Sequence, residues 1–364
     1  MGKNLKNIII IIITSCFFLS GLIGFLLIPD KLYSASERRK LAELPELTFN
    51  SVKNGKFMNN FENYSMDQFP FREKFRSIKS FAVTDLMNLK DKDKLYSYND
   101  FLVKMDYPLN KESIKYATDR FDFIKENYLK NNKIYVSVIP DKNIYLGKKS
   151  SHLFIDFQKM ENEIKKNMPY AKYINIKDLL DENSFYKTDT HFKQDKIIKA
   201  AQKITNAMGH EADDKYDIVN TGKKFYGVYY GQYSKDVEAD SISYLMNDTV
   251  NNMKVYDGEN NKITDVYNMD KLDEKDPYEM FLSGPLSLVT ISNPLSRNND
   301  KLIIFRDSFG SSIAPVIATA YKETVLVDIR YISPLYIDKF VSFYNADILF
   351  LYSSIVLNNS NTLK

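Results

Sequence analysis

The chain has 364 residues, 50 Lys and Arg against 47 Asp and Glu, and a formal net charge of +3. Acids and bases are mixed along it, which excludes a concentrated basic footprint for nucleic acid, and the length accommodates one large domain or two small ones. Aromatic content is high, with 26 Tyr, 24 Phe and no Trp, and the only cysteine, Cys16, excludes a disulfide within the chain and lies in an apolar run that gives cysteine chemistry no role.

Residues 8–29, IIIIIITSCFFLSGLIGFLLIP, carry no charge. Some twenty apolar residues at ~1.5 Å rise cross a hydrocarbon core of ~30 Å. Lys3 and Lys6 precede the run, so its start is expected in the cytoplasm and everything after Asp30 outside. A cleaved signal peptide is the competing reading; the run is longer than a usual signal core, and Ser34–Ala35–Ser36 is the nearest approach to a cleavage site. Either way the bulk of the chain is expected outside the cytoplasm, at the cell membrane if the anchor is kept. This gives an anchor at 1–29, a linker at 30–56 and a main domain at 57–364.

Residues 57–81 place aromatics at helical spacing with an interruption at Pro70, which predicts two amphipathic helices meeting at 68–71. Residues 95–103 read as a strand. Residues 110–129 form an amphipathic helix with Ile114, Ala117, Phe121, Ile124 and Tyr128 on one face. A buried strand follows at 133–139, ending at Pro140–Asp141–Lys142, and a shorter one at 172–176. Residues 193–208 form another amphipathic helix, with Gly209 as its C-cap. From about 210 to 300 the chain turns Tyr-rich, with Asp257–Gly258 as a turn signal, and reads as a β-rich insertion over the sheet. Strand 302–305, helix 311–321, strand 324–329, a helix around 334–344 and strand 348–352 complete the chain. Alternating strands and helices predict an α/β fold, a parallel sheet with helices on both faces, whose active crevice lies at the carboxyl ends of the strands.

Two stretches carry residues for chemistry. In KLIIFRDSFGSS (301–312) a strand, a tight turn holding Ser308 and a helix follow one another, which lifts a hydroxyl over the strand ends with helix-start N–H groups beside it. Asp307–Ser308 alone also suits a helix N-cap. In FYKTDTHF (185–192), Asp189 stands two residues before His191 near a helix start; in a turn its carboxylate folds back on the imidazole and leaves the other nitrogen for a serine hydroxyl. A chance Asp-x-His on a solvated loop has the same sequence. His152, His191 and His210 lack metal-ligand spacing, so neither a metal nor a cofactor is expected, and His152 and His210 read as surface or partly buried residues. Asp141–Lys142 reads as a turn with a surface ion pair, its strand-end position keeping a site role open. Arg330 and Tyr352 also end strands, as site donors or as a salt-bridge partner and a core aromatic with a wet hydroxyl.

SERRKLAELPEL (36–47), NGKFMNNFENYSMDQFPFR (54–72), VIPDKNIY (138–145), KTDTHF, KLIIFRDSFGSS, VDIRYI (327–332) and ADILFLYSS (346–354) occur in the order found in DHHW-type proteins. The chain thereby resembles the AlgJ/AlgX-like exopolysaccharide O-acetyltransferases, and within them the anchored, single-domain, Gram-positive type. The name-giving tetrapeptide departs from the family's Asp-His-His-Trp: here it is Asp189–Thr190–His191–Phe192, without the Trp and its sugar-stacking or packing contact. The resemblance implies an SGNH-hydrolase-like fold with circularly permuted motifs. It implies Ser308 as nucleophile, His191 as base and Asp189 as its orienter, with Asp307, Arg330 and Tyr352 as oxyanion or substrate candidates. It also implies a membrane-bound O-acyltransferase partner that delivers acetyl, and a secreted polysaccharide acceptor such as cellulose. An acetylesterase with the same three residues and a non-catalytic envelope subunit that binds glycan are the alternatives.

Overall fold

The structure is a computed structural model that describes residues 3–34, 39–82, 91, 93–233 and 237–364. Contacts divide it into two compact units, 1–92 with 230–236, and 93–229 with 237–364. The main domain, expected from residue 57, corresponds to a unit that starts at Asp93. Ala35 and Ser36 of the expected cleavage motif and residues 36–38 of the 36–47 stretch lie outside the described residues.

In the first unit, helix α1 (Lys3–Leu27) takes up the apolar run, and its span Leu5–Leu27 is long and apolar enough to cross a membrane or to serve as a signal sequence. The linker holds a short helix, Phe49–Lys53, closed at its start by a capping box between Thr48 and Ser51. Helices α2 (Lys56–Asp67) and α3 (Arg72–Phe81) meet at 68–71, where the Pro70 ring breaks the helix and Phe71 takes a left-handed backbone. The Tyr64 hydroxyl donates to Asp30, and Gln68 exchanges hydrogen bonds with the Lys31 backbone, which ties α2 to the end of the apolar run.

The second unit is built on an eight-stranded sheet of β1 (Ile134–Ile139), β2 (Lys172–Tyr173), β3 (Lys254–Asp257), β4 (Lys262–Thr264), β5 (Leu288–Ser292), β6 (Lys301–Arg306), β7 (Glu323–Val327) and β8 (Ala346–Ser353). Their order across the sheet is β4-β3-β5-β7-β6-β8-β1-β2. Strands β7, β6, β8, β1 and β2 run parallel, while β5, β3 and β4 continue the sheet antiparallel. The insertion therefore lies over the sheet only in part, where Phe225, Ile242 and Leu245 join the core of Leu302 and Ile304. Its last strands lengthen it, because the outer edge of β7 presents backbone donors and acceptors that need partners. The rest of the insertion pairs Asp217–Phe225 with Asp240–Met246 as a separate hairpin.

Side chains alternate between two cores, as the pleat requires. Ile303 and Phe305 of β6 join Val136 and Val138 of β1 against helices α4 (Lys111–Tyr128) and α6 (Phe157–Asn167), which contribute Phe121 and Met160. Leu302 and Ile304 face α7 (Ile198–Met208) and α8 (Gly310–Ala318), through Ile204 and Ile313. Burying each such Leu, Ile or Phe contributes about 1.5–3 kcal/mol. Helix α5 (Lys142–Lys149) starts at the carboxyl end of β1, with Asp141 as its N-cap. Gly209 ends α7 at φ +90°, as its C-cap position predicts.

Three elements differ from the sequence reading. The strand at 95–103 is a hairpin, Leu95–Tyr98 with Phe101–Lys104, turned by Asn99 and Asp100 in left-handed conformations. The helix expected from residue 193 starts with a 3-10 turn and becomes α-helical at Ile198. The helix around 334–344 is only the 3-10 turn Pro334–Lys339.

Candidate active site

Ser308 stands in the turn between β6 and α8, above the carboxyl ends of the parallel strands, half-buried. Asp307 holds that turn. One of its carboxylate oxygens accepts from the Phe309 N–H at 3.0 Å, the other from the Ser353 N–H at the end of β8 at 2.7 Å. Asp307 is thus a brace between two neighbouring strand ends, with both oxygens engaged. Gly310 lets the helix start close against β6: a Cβ there would meet the Arg306 Cβ at 2.7 Å. The N–H groups of Phe309 and Gly310 are both given to Asp307, whereas that of Ser308 has no partner among the described hydrogen bonds.

The loop 186–191 brings in the other two residues. It is closed by the Phe185–Phe192 bridge and by the Tyr186 N–H on the His191 carbonyl. Asp189 Oδ1 lies 2.6 Å from His191 Nδ1 and accepts from the His191 N–H at 3.0 Å, while its Oδ2 accepts from the Val228 N–H at 2.8 Å. His191 Nε2 lies 2.8 Å from Ser308 Oγ. A carboxylate can only accept here, so Nδ1 carries the proton and Nε2 is left to accept from the serine hydroxyl. Ser308, His191 and Asp189, the first 117 residues from the second, form one hydrogen-bonded chain.

The imidazole is sandwiched. Tyr278 stacks on it at 3.9 Å and 11°, and its own hydroxyl is hydrogen-bonded to Ser312 Oγ at 2.8 Å; Phe309 covers the ring at 4.8 Å. Burial pushes the Tyr278 phenol well above its ordinary value, so it remains neutral. Phe192, at the position of the absent Trp, is buried and packs edge-on to Phe309 at 5.1 Å, so this position serves packing.

The loop is also gripped from behind. Lys142 is fully buried, and its ammonium donates to the carbonyls of Tyr186 at 2.9 Å, Lys187 at 3.1 Å and Asp189 at 2.7 Å. Asp141 is equally buried, so the pair expected at the surface is interior: the loop carbonyls replace water around the ammonium. Burial lowers the Lys142 pKa and raises that of Asp141. On the outer side Asp240 accepts from the Lys187 and Thr188 N–H groups and from the Thr188 hydroxyl. Gly227 lies so close that a Cβ would sit 2.3 Å from that of Asp189.

The remaining candidates lie elsewhere on the rim or beneath it. Arg330 is held by Asp328, with Nε and Nη2 on the carboxylate, the latter at 2.6 Å. Burial works against its charge, but those bonds raise its pKa above the usual arginine value. Tyr352 is buried in the core, its ring 5.1 Å from Phe121 and its hydroxyl without a hydrogen-bond partner, so it is neither wet nor on the crevice surface. His152 stacks on Tyr96, and His210 lies 3.2 Å from Asp347, both partly buried.

No protein-family model matches the chain, nor does any curated protein. Solved structures do. A DHHW family protein from Eubacterium siraeum superposes with a TM-score of 0.59 at 17% identity, over 74% of this chain and 95% of that one. The fold is the DHHW-type fold. PatB1 of Bacillus cereus, in a structure with a sulfonyl adduct, superposes at 0.58 with 18% identity, over 74% of this chain and 96% of its own. A second PatB1 structure gives the same score and identity, covering 75% and 98%. The motif order in the sequence implied this architecture.

Tyr278, Asp240 and Gly227 are not among the residues the sequence points to, whereas the strand-end position of Lys142 keeps a site role open for it. Only Lys142 left a signal, its position straight after a buried strand; the others reach the site through contacts 39 to 87 residues distant along the chain from His191 or Thr188.

Proposed function

We propose that this chain is an extracytoplasmic O-acetyltransferase that moves an acetyl group through Ser308 onto hydroxyls of a secreted polysaccharide, cellulose among the candidates. The observation that carries the reading is the 2.8 Å approach of Ser308 Oγ to His191 Nε2, with Asp189 2.6 Å behind the ring. A serine hydroxyl is inert without such a base, and a base of fixed tautomer takes its proton in one direction.

In the first half, Ser308 Oγ bonds to the carbonyl carbon of the acetyl donor as His191 Nε2 takes the hydroxyl proton. The oxyanion is met by the Ser308 N–H, the one N–H of the turn that Asp307 does not use. The tetrahedral intermediate collapses, the donor's leaving group departs with the proton from His191, and an acetyl ester remains on Ser308. In the second half His191 takes a proton from a sugar hydroxyl, the sugar oxygen attacks the ester, and Ser308 leaves and recovers the proton. Arg330, on the rim at the end of β7, is the candidate second contact to donor or acceptor. The N-terminal helix fits an uncleaved anchor with its start in the cytoplasm, and a membrane-bound O-acyltransferase would present the acetyl group at the outer face.

A serine-directed sulfonyl fluoride is expected to add one label, on Ser308, and Ser308→Ala to take none and transfer no acetyl. Transfer that persists in Ser308→Ala would refute the proposal. With an acetyl ester and an oligosaccharide both present, acetylated sugar supports the transferase, release of acetate alone supports an esterase, and no labelling at all supports a non-catalytic subunit.

A further inference from the structure

Helix α3 is built inside out. Its helical period puts Phe71, Phe75 and Ile78 on one face, with Phe81 at the border of that face. These four side chains are turned away from the protein, at 64%, 41%, 61% and 51% accessible. The polar face is the one that packs. Ser80 is fully buried with its hydroxyl on the Tyr233 carbonyl, and Arg76 donates to the Gly231 carbonyl at 2.7 Å, both partners belonging to the same unit. A helix at a water surface buries its apolar stripe; a contiguous apolar face left outward marks a surface that something else covers.

What covers it follows from where the face lies. Phe71 and Phe75 line a cavity of 910 Å³ together with Phe61, Phe69 and, from α1, Leu22 and Phe25. The turn between α2 and α3 is seated on α1: a Cβ on Gly24 would meet the Pro70 ring at 3.0 Å, and one on Gly21 the Phe69 ring at 4.0 Å. Gly24 and Gly21 come three and six residues before Leu27, about 5 and 9 Å inside the end of the apolar run. Amphipathic helices in a membrane interface sink their apolar face by about 5–10 Å, which is the same depth. Phe75 stands edge-on to Phe69 at 5.6 Å and to Phe17 at 6.4 Å, so the face turns toward the middle of α1. Lys74 flanks the face on one side and Lys79 on the other. Their stems can lie along apolar surface while the ammonium groups reach outward to anionic headgroups. A soluble partner would have to enter a cavity one wall of which α1 carries into the hydrocarbon.

We propose that α2 and α3 form a second membrane element: α3 rests in the outer leaflet, with Phe71, Phe75, Ile78 and Phe81 among phospholipid acyl chains and Lys74 and Lys79 on the phosphates. The proposal rests on the uncleaved anchor of the reading above and goes beyond it, since the chain is then held at the bilayer by two elements.

The chain contains no Trp, so a single introduced indole reports alone. Full-length Phe75→Trp and Ile78→Trp are placed in nanodiscs of phosphatidylcholine and phosphatidylglycerol, with plain acyl chains or with chains brominated at their middle. Both indoles are expected to lose most of their emission in the brominated lipid and to resist quenching by aqueous iodide. Asn63→Trp, exposed on the face of α2 opposite Phe61 and Ser65, is expected to do the reverse. Ile10→Trp, in the first half of α1, reports on the anchor separately. Quenching by bromine at 10 but not at 75 and 78 would overturn the proposal and leave the anchor standing. Quenching at 75 and 78 but not at 10 would support the proposal and overturn the anchor. Indoles at 75 and 78 shielded from bromine and iodide alike would overturn the proposal too, because protein then covers the face, a second copy of the chain among the candidates.

Discussion

Gly227→Ala tests whether the loop behind the imidazole must be held where it is. A Cβ at this position would lie 2.3 Å from the Asp189 Cβ, 2.4 Å from its Cα and 2.4 Å from the Thr188 carbonyl oxygen. Carbon atoms sit comfortably at about 3.5 Å, so the two segments must separate by about 1 Å. None of the three atoms is the loose end of a side chain, so the backbone itself has to move. That movement pulls on three hydrogen bonds: Gly227 N–H to Thr188 Oγ1, Val228 N–H to Asp189 Oδ2 and Tyr229 N–H to the Thr188 carbonyl. It also draws Asp189 off the imidazole, and a displacement of about 1 Å in a catalytic group costs on the order of 100-fold in rate. Forcing a methyl into a filled space destabilises by about 1–3 kcal/mol as well. The assay is acetyl transfer alongside thermal melting, with Gly209→Ala as comparison. Gly209 has φ +90° and nothing within 4 Å, so its variant should cost about 1–2 kcal/mol of backbone strain and no activity. Parent-like kcat/KM in Gly227→Ala, whatever its melting temperature, would refute the reasoning.

Asp189→Asn should lower kcat by roughly 10³–10⁴-fold: an amide has one acceptor where Asp189 uses both oxygens, so it turns an N–H toward either His191 Nδ1 or the Val228 N–H, which steady-state kinetics with an acetyl ester will register. Lys142→Met should slow transfer and lower the melting temperature, since three buried carbonyls lose their donor at about 1–3 kcal/mol each. Burial holds the Lys142 pKa below that of the free side chain, so between the folded and unfolded values the folded state binds fewer protons than the unfolded chain. Its contribution to stability therefore rises with pH across that window, and denaturant titrations at several pH values should find this rise flattened in Lys142→Met. Phe192→Trp, which restores the family's residue, should destabilise by about 1–3 kcal/mol, because Phe192 is already fully buried against Phe309; an unchanged melting curve would show spare room there.

Local pattern was enough for several elements, because hydrophobic period and turn chemistry are properties of neighbours in the chain. The apolar run of α1, the break at Pro70, the stripe of α4 and the strand–turn–helix around Ser308 all appear where their periodicity puts them. Asp189 and His191 are two residues apart, so a turn sufficed to join them. Asn99 and Asp100 turn a hairpin inside a stretch whose flanking residues favour strand, and at 334–344 the helical spacing yields only the 3-10 turn Pro334–Lys339.

Sequence alone determined the pieces: an apolar N-terminal helix, alternating strands and helices, and three residue types capable of serine chemistry in the order their family resemblance implies. Tertiary structure alone decided which strand lies beside which, that β5, β3 and β4 extend the sheet, that Tyr352 faces the core, and that Lys142, Tyr278 and Gly227 enclose the Asp189–His191 loop. The reason is physical. Periodicity tells which face of an element is buried and is silent about what it is buried against, whereas the contacts that hold the imidazole loop from outside, such as the Val228 N–H and the Lys142 ammonium on Asp189, join residues 39 or more positions apart that only the closed fold brings together.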